Sequence, residues 1–252
     1  MLDALKNDVG GPAQPLLTIR GLQKLFPLKK GVLGQSGGVV RAVDGVDFEV
    51  MKGETLGVVG ESGCGKSTTA RLLMHLIDPT AGEVVFDGRT VGGRQLSLKE
   101  FRRQVQMVFQ DSYASLNPRL TIEDSIAFGP VVHGVPRREA VARARDLLAR
   151  VGLEPARFAG RYPHELSGGQ RQRVNIARAL ALQPRLIILD EAVSALDKSV
   201  EAQVINLLMQ LKQEFQLTYV FISHDLNVVR YISDRVMVMY LGQVAEIGPA
   251  DA

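Results

Sequence analysis

Residues 60–67 read Gly60-Glu61-Ser62-Gly63-Cys64-Gly65-Lys66-Ser67, a glycine-rich loop that ends in lysine and serine. A short apolar run at residues 56–59 precedes it, and residues 67–74 after it have helical character. A strand, a glycine-rich loop and a helix in this order are the context that a phosphate-binding loop requires. The sequence therefore predicts an α/β fold with a nucleotide phosphate site at this loop.

The residue types of the loop suit the phosphates of a nucleotide. Glycines let backbone N–H groups face the anion without obstruction, and the following helix presents its N-terminus to it. Lys66 is expected to neutralise the β- and γ-phosphates, and Ser67 to offer its hydroxyl to Mg²⁺. A chance glycine turn is the competing interpretation, and the flanking elements disfavour it. The positions assigned to nucleotide binding are Gly60, Glu61, Ser62, Gly63, Cys64, Gly65, Lys66, Ser67 and Thr68.

A second motif is an apolar run that ends in two acids, Leu186-Ile187-Ile188-Leu189-Asp190-Glu191. Such a strand places its terminal acid at the carboxyl edge of a buried sheet, where ligands bind. Asp190 is the expected partner of Mg²⁺ through water. Glu191 is then available to polarise the attacking water. Taken alone, Glu191 could be an ordinary acid at a strand end, but the phosphate loop favours the catalytic interpretation.

A third motif is Leu166-Ser167-Gly168-Gly169-Gln170, followed by apolar positions that fit a helix starting just after the glycines. The start of that helix is another anion site. A chain that already has one phosphate loop does not obviously need a second glycine-rich phosphate-binding motif for its own nucleotide. Read locally, however, the motif indicates only a capped helix.

Composition narrows the function classes. The chain has 252 residues, 46% apolar and 23% charged, which is ordinary for a soluble globular protein. The net charge of +3 gives no argument for nucleic acid as a partner. Cys64 is the only cysteine and is interpreted as a small filler. No apolar run approaches the ~18 residues that span a bilayer, so we expect a cytosolic protein whose membrane association comes through a partner.

The chain is divided by its glycines and prolines. Residues 1–15 predict a flexible lead-in, and residues 16–252 one domain. Within it, residues 31–38 read as a surface loop and residues 80–110 as mainly strands and turns. A helix-rich block at about 111–183 is interpreted as an inserted helical subdomain, and it includes a basic amphipathic helix near 137–151. From residue 186 the pattern predicts strands at 186–190, 218–222 and 235–240 with helices at 198–214 and 225–231.

The order of the motifs resembles the ATP-binding cassette (ABC) transporter ATPases from about residue 16 onward. In that family the loop is Walker A, Leu166–Gln170 is the signature, and 186–190 is Walker B with Glu191 as the catalytic glutamate. Three residues that are weak on their own gain roles: Gln110 as the Q-loop glutamine, Asp197 in the D-loop and His224 as the switch histidine. The resemblance implies a P-loop NTPase (RecA-like) core, an N-terminal antiparallel β subdomain and an inserted helical subdomain.

Longer runs resemble the branch that imports dipeptides, oligopeptides and nickel. They are Phe26-Pro27-Leu28-Lys29-Lys30-Gly31, Val108-Phe109-Gln110-Asp111-Ser112-Tyr113-Ala114-Ser115-Leu116-Asn117-Pro118-Arg119, Arg161-Tyr162-Pro163-His164-Glu165 and Ile222-Ser223-His224-Asp225-Leu226. The resemblance makes Phe26 the aromatic that stacks on adenine. Ala192 departs from the proline that usually follows the catalytic glutamate, and we do not interpret this as inactivation.

The resemblance implies a dimeric active unit, because in this family one subunit's signature closes over ATP held by another. The implied catalytic residues are Glu191, His224, Lys66 and Gln110, and the implied Mg²⁺ ligands are Ser67, Gln110 and Asp190. Further implied nucleotide contacts are Ser167, Gly168, Gly169, Gln170 and Asp197. The implied cofactors are ATP and Mg²⁺.

The implied partners are a second ATPase subunit, identical or related, two membrane permease subunits and a solute-binding protein, with no nucleic acid. The chain would then lie on the cytoplasmic face of the inner membrane and drive uptake of peptides or a related solute such as a nickel chelate. An alternative is a soluble ABC-type ATPase acting in DNA repair or translation, but no long coiled-coil insertion or second cassette is visible. The signature argues against a small-molecule kinase, and Glu191 with His224 argues against a pure interaction module.

Overall fold

The structure, a computed structural model, describes residues 8, 10–11, 13–28 and 38–251. Much of the predicted lead-in and residues 31–37 of the predicted loop lie outside the described residues. The elements in chain order are β1 (Leu17–Pro27), β2 (Val39–Val50), β3 (Thr55–Val59), α1 (Lys66–Leu73), β4 (Ala81–Phe86), β5 (Arg89–Thr90), α2 (Leu98–Gln104), β6 (Val105–Val108), α3 (Ile122–Val132), α4 (Arg137–Arg150), α5 (Pro155–Phe158), a 3₁₀ turn (Pro163–Glu165), α6 (Gly168–Leu180), β7 (Leu186–Asp190), α7 (Lys198–Phe215), β8 (Thr218–Ile222), α8 (Leu226–Ile232), β9 (Arg235–Tyr240) and β10 (Gln243–Pro249).

The chain forms two compact units. Among the described residues, the middle unit is Arg103–Tyr219, and the terminal unit combines those of Leu5–Arg102 with those of Val220–Ala252. The predicted limits of the helical subdomain, 111–183, stay a prediction.

In the terminal unit, an antiparallel sheet has the order β2-β1-β4-β5. Its register sets Leu17 opposite both Val50 and Phe86. These three side chains are fully buried, so the hydrophobic pattern of each strand fixes the pairing. The second sheet in this unit has the order β10-β9-β3-β8, with β3 parallel to β9 and β10 antiparallel to it.

In the middle unit, β6 runs parallel to β7. Every residue of β3, β7 and β8 is buried, as expected for parallel strands covered on both faces. Helices α3 to α6 occupy the helix-rich block. On α4 the buried positions are Ala140, Ala144, Leu147 and Leu148, which confirms the predicted amphipathic helix.

The structure confirms the predicted α/β fold and differs from the predicted elements in three places. Residues 80–110 contain the helix α2, where Ser97 Oγ accepts a hydrogen bond of 3.2 Å from the N–H of Glu100. The strand β10 was not predicted. The helix α6 begins at Gly168, so the signature glycines form its first turn instead of preceding it. Within the described residues, no helix is long and apolar enough to cross a membrane.

Candidate functional site

The phosphate loop connects β3 to α1 in the terminal unit, as the sequence predicts. Gly60, Gly63 and Gly65 have φ of 150°, 81° and 110°, a region that glycine adopts without a Cβ penalty. A Cβ at Gly60 would lie 2.2 Å from the Met239 carbonyl oxygen, and one at Gly65 2.4 Å from that of Ala42. The loop is therefore packed directly against backbone on two sides, and these two positions require glycine for space as well as conformation.

Lys66 lies inside the curve of this loop. Its side chain is 5% exposed, and its Nζ donates hydrogen bonds to the carbonyl oxygens of Gly60 (2.6 Å) and Glu61 (2.8 Å). Cys64 Sγ lies 3.7 Å from the same nitrogen, and this cysteine is buried. A buried ammonium group surrounded by glycine-rich loop backbone at the start of a helix fits a polyphosphate anion.

Several other predicted site residues lie in the terminal unit. Ser67 and Thr68 form the first turn of α1 and are half-buried, whereas Glu61 and Ser62 are exposed. His224 is exposed in the link between β8 and α8. Its neighbour Asp225 caps α8 by accepting a 3.0 Å hydrogen bond from the N–H of Asn227.

Phe26 lies near the end of β1, opposite Val40 of β2. Its side chain is 40% exposed, and the Lys24 ammonium lies 5.2 Å from its ring centroid. An exposed ring of this kind presents a flat surface to which a base could stack.

One support of the phosphate loop had no signal in the sequence. The Gly242 N–H donates to the Cys64 carbonyl oxygen at 2.9 Å, and the Gly242 carbonyl accepts from the N–H of Asp44 at 2.8 Å. Gly242 lies in the turn between β9 and β10. The sequence there predicts a turn at most, because nothing in a Leu-Gly pair indicates which loop its backbone will contact.

In the middle unit, the structure brings Gln110 to Glu191. The Gln110 Nε2 donates to Glu191 Oε2 at 3.0 Å. Glu191 has a φ of 47°, an uncommon conformation for a residue other than glycine and one often found at functional sites. Its carbonyl accepts from the N–H and Oγ of Ser194 at 3.2 and 2.9 Å. Asp190, the last residue of β7, is 5% exposed.

The signature forms the N-terminal cap of α6. Ser167 Oγ accepts from the Gln170 N–H at 3.3 Å, and Gln170 Oε1 accepts from the Ser167 N–H at 3.0 Å. This reciprocal capping box fixes the conformation of the motif and aligns the helix start, where the partial positive charge of the helix lies.

The signature glycines pack differently against the chain before and within α7. A Cβ at Gly169 would lie 2.5 Å from Val200 Cγ1, whereas one at Gly168 would make an ordinary 3.8 Å contact with Leu196. Asp197, the predicted D-loop residue, is the N-cap residue of α7. The structure therefore places the predicted signature and D-loop within one packed region of the middle unit.

The predicted Mg²⁺ ligands offer a hydroxyl, an amide oxygen and a carboxylate, the hard oxygen donors that this ion prefers. Two of them, Gln110 and Asp190, belong to the middle unit, and Ser67 belongs to the terminal unit. Among the residues that the structure describes, no group of three or more His, Cys, Asp and Glu side chains could hold a metal ion.

Comparison with known proteins decides the family. The pattern of the ABC transporter family matches residues 43–194. The chain is also 54% identical over 237 residues to the oligopeptide transport ATP-binding protein AppF of Bacillus subtilis (strain 168), covering 93% of this chain and 72% of AppF. The chain belongs to the ABC transporter family. It is therefore a nucleotide-binding ATPase with the P-loop fold that the motif order predicts.

Two further proteins of this family are similar to the chain. The glutathione import ATP-binding protein GsiA of Escherichia coli (strain K12) is 54% identical over 241 residues, but the chain spans only 38% of its length. The ATP-binding cassette MJ0796, solved as a dimer in a post-hydrolysis state bound to ADP and Pi, has a TM-score of 0.78 and 31% identity. That match covers 93% of this chain and 98% of MJ0796.

Proposed function

We propose that this chain is the ATP-hydrolysing subunit of a membrane importer for peptides or a related small solute. Two relatives support the cargo class, since one is named for oligopeptide transport and another for import of glutathione, itself a small peptide. The observation that carries the ATPase assignment is Lys66, buried inside a loop whose glycines have positive φ. That geometry favours binding of a polyphosphate.

In this proposal, ATP binds along the phosphate loop, with its adenine against Phe26. Lys66 neutralises the β- and γ-phosphates, exchanging its bonds to the loop carbonyls for bonds to phosphate oxygens. Ser67, Gln110 and Asp190 would hold Mg²⁺, which when bound spreads the negative charge that develops on the phosphates.

Hydrolysis would depend on the residues that position water. Glu191 orients the attacking water and accepts its proton, and His224 holds the γ-phosphate and the water in line. The hydrogen bond from Gln110 to Glu191 supports this assignment, because it holds the carboxylate in one orientation. Positioning and charge stabilisation supply most of the catalysis in phosphoryl transfer.

The signature would bind the nucleotide that is held by a second copy of the fold. Its capped helix start presents backbone N–H groups and the Ser167 hydroxyl to an anion, and the related cassette MJ0796 forms a dimer. We infer that Ser167, Gly168 and Gly169 grip the γ-phosphate of ATP bound to the partner subunit. Gln170 and Asp197 would border the same pocket.

The partners follow from the importer assignment. They would be a second ATPase subunit, two permease subunits and a solute-binding protein that acts at the permease, with this chain on the cytoplasmic face of the inner membrane. The alternative of a soluble ABC-type ATPase in DNA repair or translation is not favoured, because the relatives named above are transport or import proteins. Co-purification with permease subunits rather than with nucleic acid or ribosomes supports the importer assignment.

A test of the ATPase and of the shared pocket uses three variants. Glu191→Gln should retain ATP binding and lower turnover by about 10²–10⁴-fold, or ~2.7–5.4 kcal/mol of barrier. With ATP it should sediment as a dimer, because the closed state no longer decays by hydrolysis. Adding Ser167→Asp should abolish that dimer, since aspartate keeps the helix cap but repels the phosphate.

Direct titration of a fluorescent ATP analogue gives the control measurement. The Ser167→Asp protein should bind nucleotide like its parent, whereas Lys66→Ala should lose binding. Hydrolysis by Glu191→Gln near the parental rate would remove Glu191 from its assigned role. An ATP-dependent dimer that persists with Ser167→Asp would contradict the shared pocket.

A further inference from the structure

The segment that follows Gln110 is attached to the signature helix by three side chains of α6. Asn175 Nδ2 donates to the Ser112 carbonyl at 3.0 Å, and Arg178 donates to the Ser115 carbonyl. The Arg171 guanidinium lies 5.3 Å from the ring centroid of Tyr113. Positions 171, 175 and 178 are spaced by four and three residues, so they share one face of the helix.

Two of these attachments are partly buried. Asn175 is 1% exposed, and burial lowers the pKa of the Arg178 guanidinium. When a buried donor loses its acceptor, the free energy of desolvating that donor is no longer offset. Loss of either hydrogen bond should therefore destabilise the fold. The contacts therefore restrain the Ser112 and Ser115 carbonyls more strongly than fully exposed polar contacts would.

The attached segment has hydrogen bonds of its own. Asp111 Oδ1 accepts from the N–H groups of Tyr113 and Ala114, each at 2.9 Å. The Ser115 Oγ donates to the Asp111 carbonyl at 2.6 Å. Residues 111–115 thus form one hydrogen-bonded turn, which we call the 111–115 turn. Gln110 immediately precedes this turn in the chain.

The two ends of this connection have different partners. At one end, Ser167 caps α6, and at the other, Gln110 donates to Glu191. Under the proposed function, Ser167 grips the nucleotide of the partner subunit, while Gln110 and Glu191 act on the subunit's own nucleotide. One subunit therefore carries a continuous chain of contacts from one nucleotide pocket to the other, entirely within its middle unit.

We propose that Asn175 and Arg178 are positioning residues that fix the 111–115 turn to the signature helix, so that binding of the signature to one nucleotide aligns Gln110 and Glu191 at the other. This role rests on the proposed function, since it needs two shared pockets. It differs from a purely structural role because loss of these contacts should uncouple the pockets while leaving each able to bind ATP.

Hydrogen exchange can report the binding of a subunit's signature to its partner's nucleotide if that subunit cannot bind ATP itself. A ¹⁵N-labelled Lys66→Ala subunit is mixed with unlabelled Glu191→Gln subunits and Mg-ATP, so peptides of the two subunits differ in mass. Protection of residues 166–172 in the labelled subunit reports that its signature has bound the partner's nucleotide. Protection of residues 110–116 in the same subunit reports transmission, and we expect exchange there to slow about fivefold or more.

Variants of the labelled subunit then test the two residues. Asn175→Leu and Arg178→Met, which keep side-chain bulk but remove the donors, should abolish protection of 110–116 and retain protection of 166–172. Arg178→Lys, which keeps one donor, should recover part of it. Arg173→Met is the matched control, because Arg173 is on the same helix but donates to the Val151 carbonyl and to Gln203, at 2.8 and 3.1 Å.

Steady-state hydrolysis with Glu191 intact gives a second readout. Asn175→Leu and Arg178→Met should lower kcat about tenfold or more through misplacement of Gln110 and Glu191, with the KM for ATP changed less than about twofold. Arg173→Met should leave both values unchanged.

Each outcome has one meaning. Three results would overturn the positioning role. The parent subunit could show no protection of 110–116, this protection could survive in Asn175→Leu and Arg178→Met, or Arg173→Met could lose it to the same extent. Absence of protection at 166–172 in the parent subunit instead contradicts the shared pocket of the proposed function, so the two failures are distinguishable.

Discussion

Glu191 shows what a motif predicts at the scale of one residue and what it leaves open. The acid at the end of an apolar strand predicts its place at the edge of the sheet, and the structure has β7 ending at Asp190. The φ of 47° at Glu191 and its bond from Gln110, 81 positions away in sequence, had no signal. Both result from tertiary packing, which brings distant segments together and stabilises a backbone conformation that local preference disfavours.

The two signature glycines should respond to alanine in opposite ways. Gly169→Ala forces a methyl group against the β-branched Val200, and overpacking of this kind costs about 1–3 kcal/mol of stability. Gly168→Ala makes only an ordinary contact and removes the entropy cost of glycine in a helix, so it should be neutral or stabilising by up to about 1 kcal/mol. Urea unfolding of both variants measures the difference.

Val200→Ala provides the control for this pair. Combined with Gly169→Ala it should recover stability relative to the sum of the single changes, because the clash is between those two side chains. Additive effects in the double variant, or equal losses for both glycines, would show that the packing of α6 on α7 does not set the requirement for glycine.

At the scale of elements, buried strands were predicted best. The strands β3, β7 and β8 read as continuous apolar runs, since both of their faces are covered. The prediction failed at α2, whose Ser97 cap and buried Phe101 were read as part of a strand-rich stretch. It also failed at the start of α6, because a capping box lets glycines occupy a first helical turn that propensity alone disfavours.

The turn between β9 and β10 should control nucleotide affinity. Gly242 has a φ of 83°, and a Cβ there would lie 3.0 and 3.1 Å from the carbonyl oxygens of Arg41 and Ala42. Gly242→Ala adds a left-handed penalty of about 1–2 kcal/mol. Because the Gly242 N–H holds Cys64 of the phosphate loop, relief of this strain should shift the loop and weaken ATP binding about tenfold.

Gly248→Ala is the control, since Gly248 lies in β10, the strand that follows this turn, and an added Cβ would have no neighbour within 4 Å. It should bind ATP like the parent. Isothermal titration with ATP measures both affinities. If Gly242→Ala lowers the melting temperature but binds ATP with parental affinity, the turn supports the fold of the terminal unit and not the loop.

At the scale of the whole molecule, the order of motifs along the chain predicts the family, and each motif occupies the kind of element that the order requires. The strand–loop–helix context of the phosphate loop appears as expected, and α6 has the expected cap although it begins at Gly168. Their separation along the chain carries no information on which copy of the fold each motif serves. That question concerns association between chains, so it requires an experiment with two distinguishable subunits.

Mixing two inactive variants addresses this question. Lys66→Ala removes the phosphate contact of one subunit, and Ser167→Asp blocks its signature, so each variant alone should hydrolyse no ATP above background. In a mixed dimer, the intact loop of the Ser167→Asp subunit faces the intact signature of the Lys66→Ala subunit, restoring one of the two pockets. Half of the dimers in an equimolar mixture are mixed and each has one assembled pocket, so random pairing should recover at most about a quarter of parental hydrolysis. If Asn175 and Arg178 couple the pockets as proposed, the recovery should fall well below a quarter, because the Glu191 of that pocket belongs to the subunit whose signature is blocked. Phosphate release measures the recovery. In the control, a Lys66→Ala, Ser167→Asp double variant is mixed with the parent, and the hydrolysis of that mixture shows the effect of subunit exchange when mixed dimers have no working pocket. If the mixture stays inactive while sedimentation shows mixed dimers, pockets shared between subunits and able to act independently are excluded.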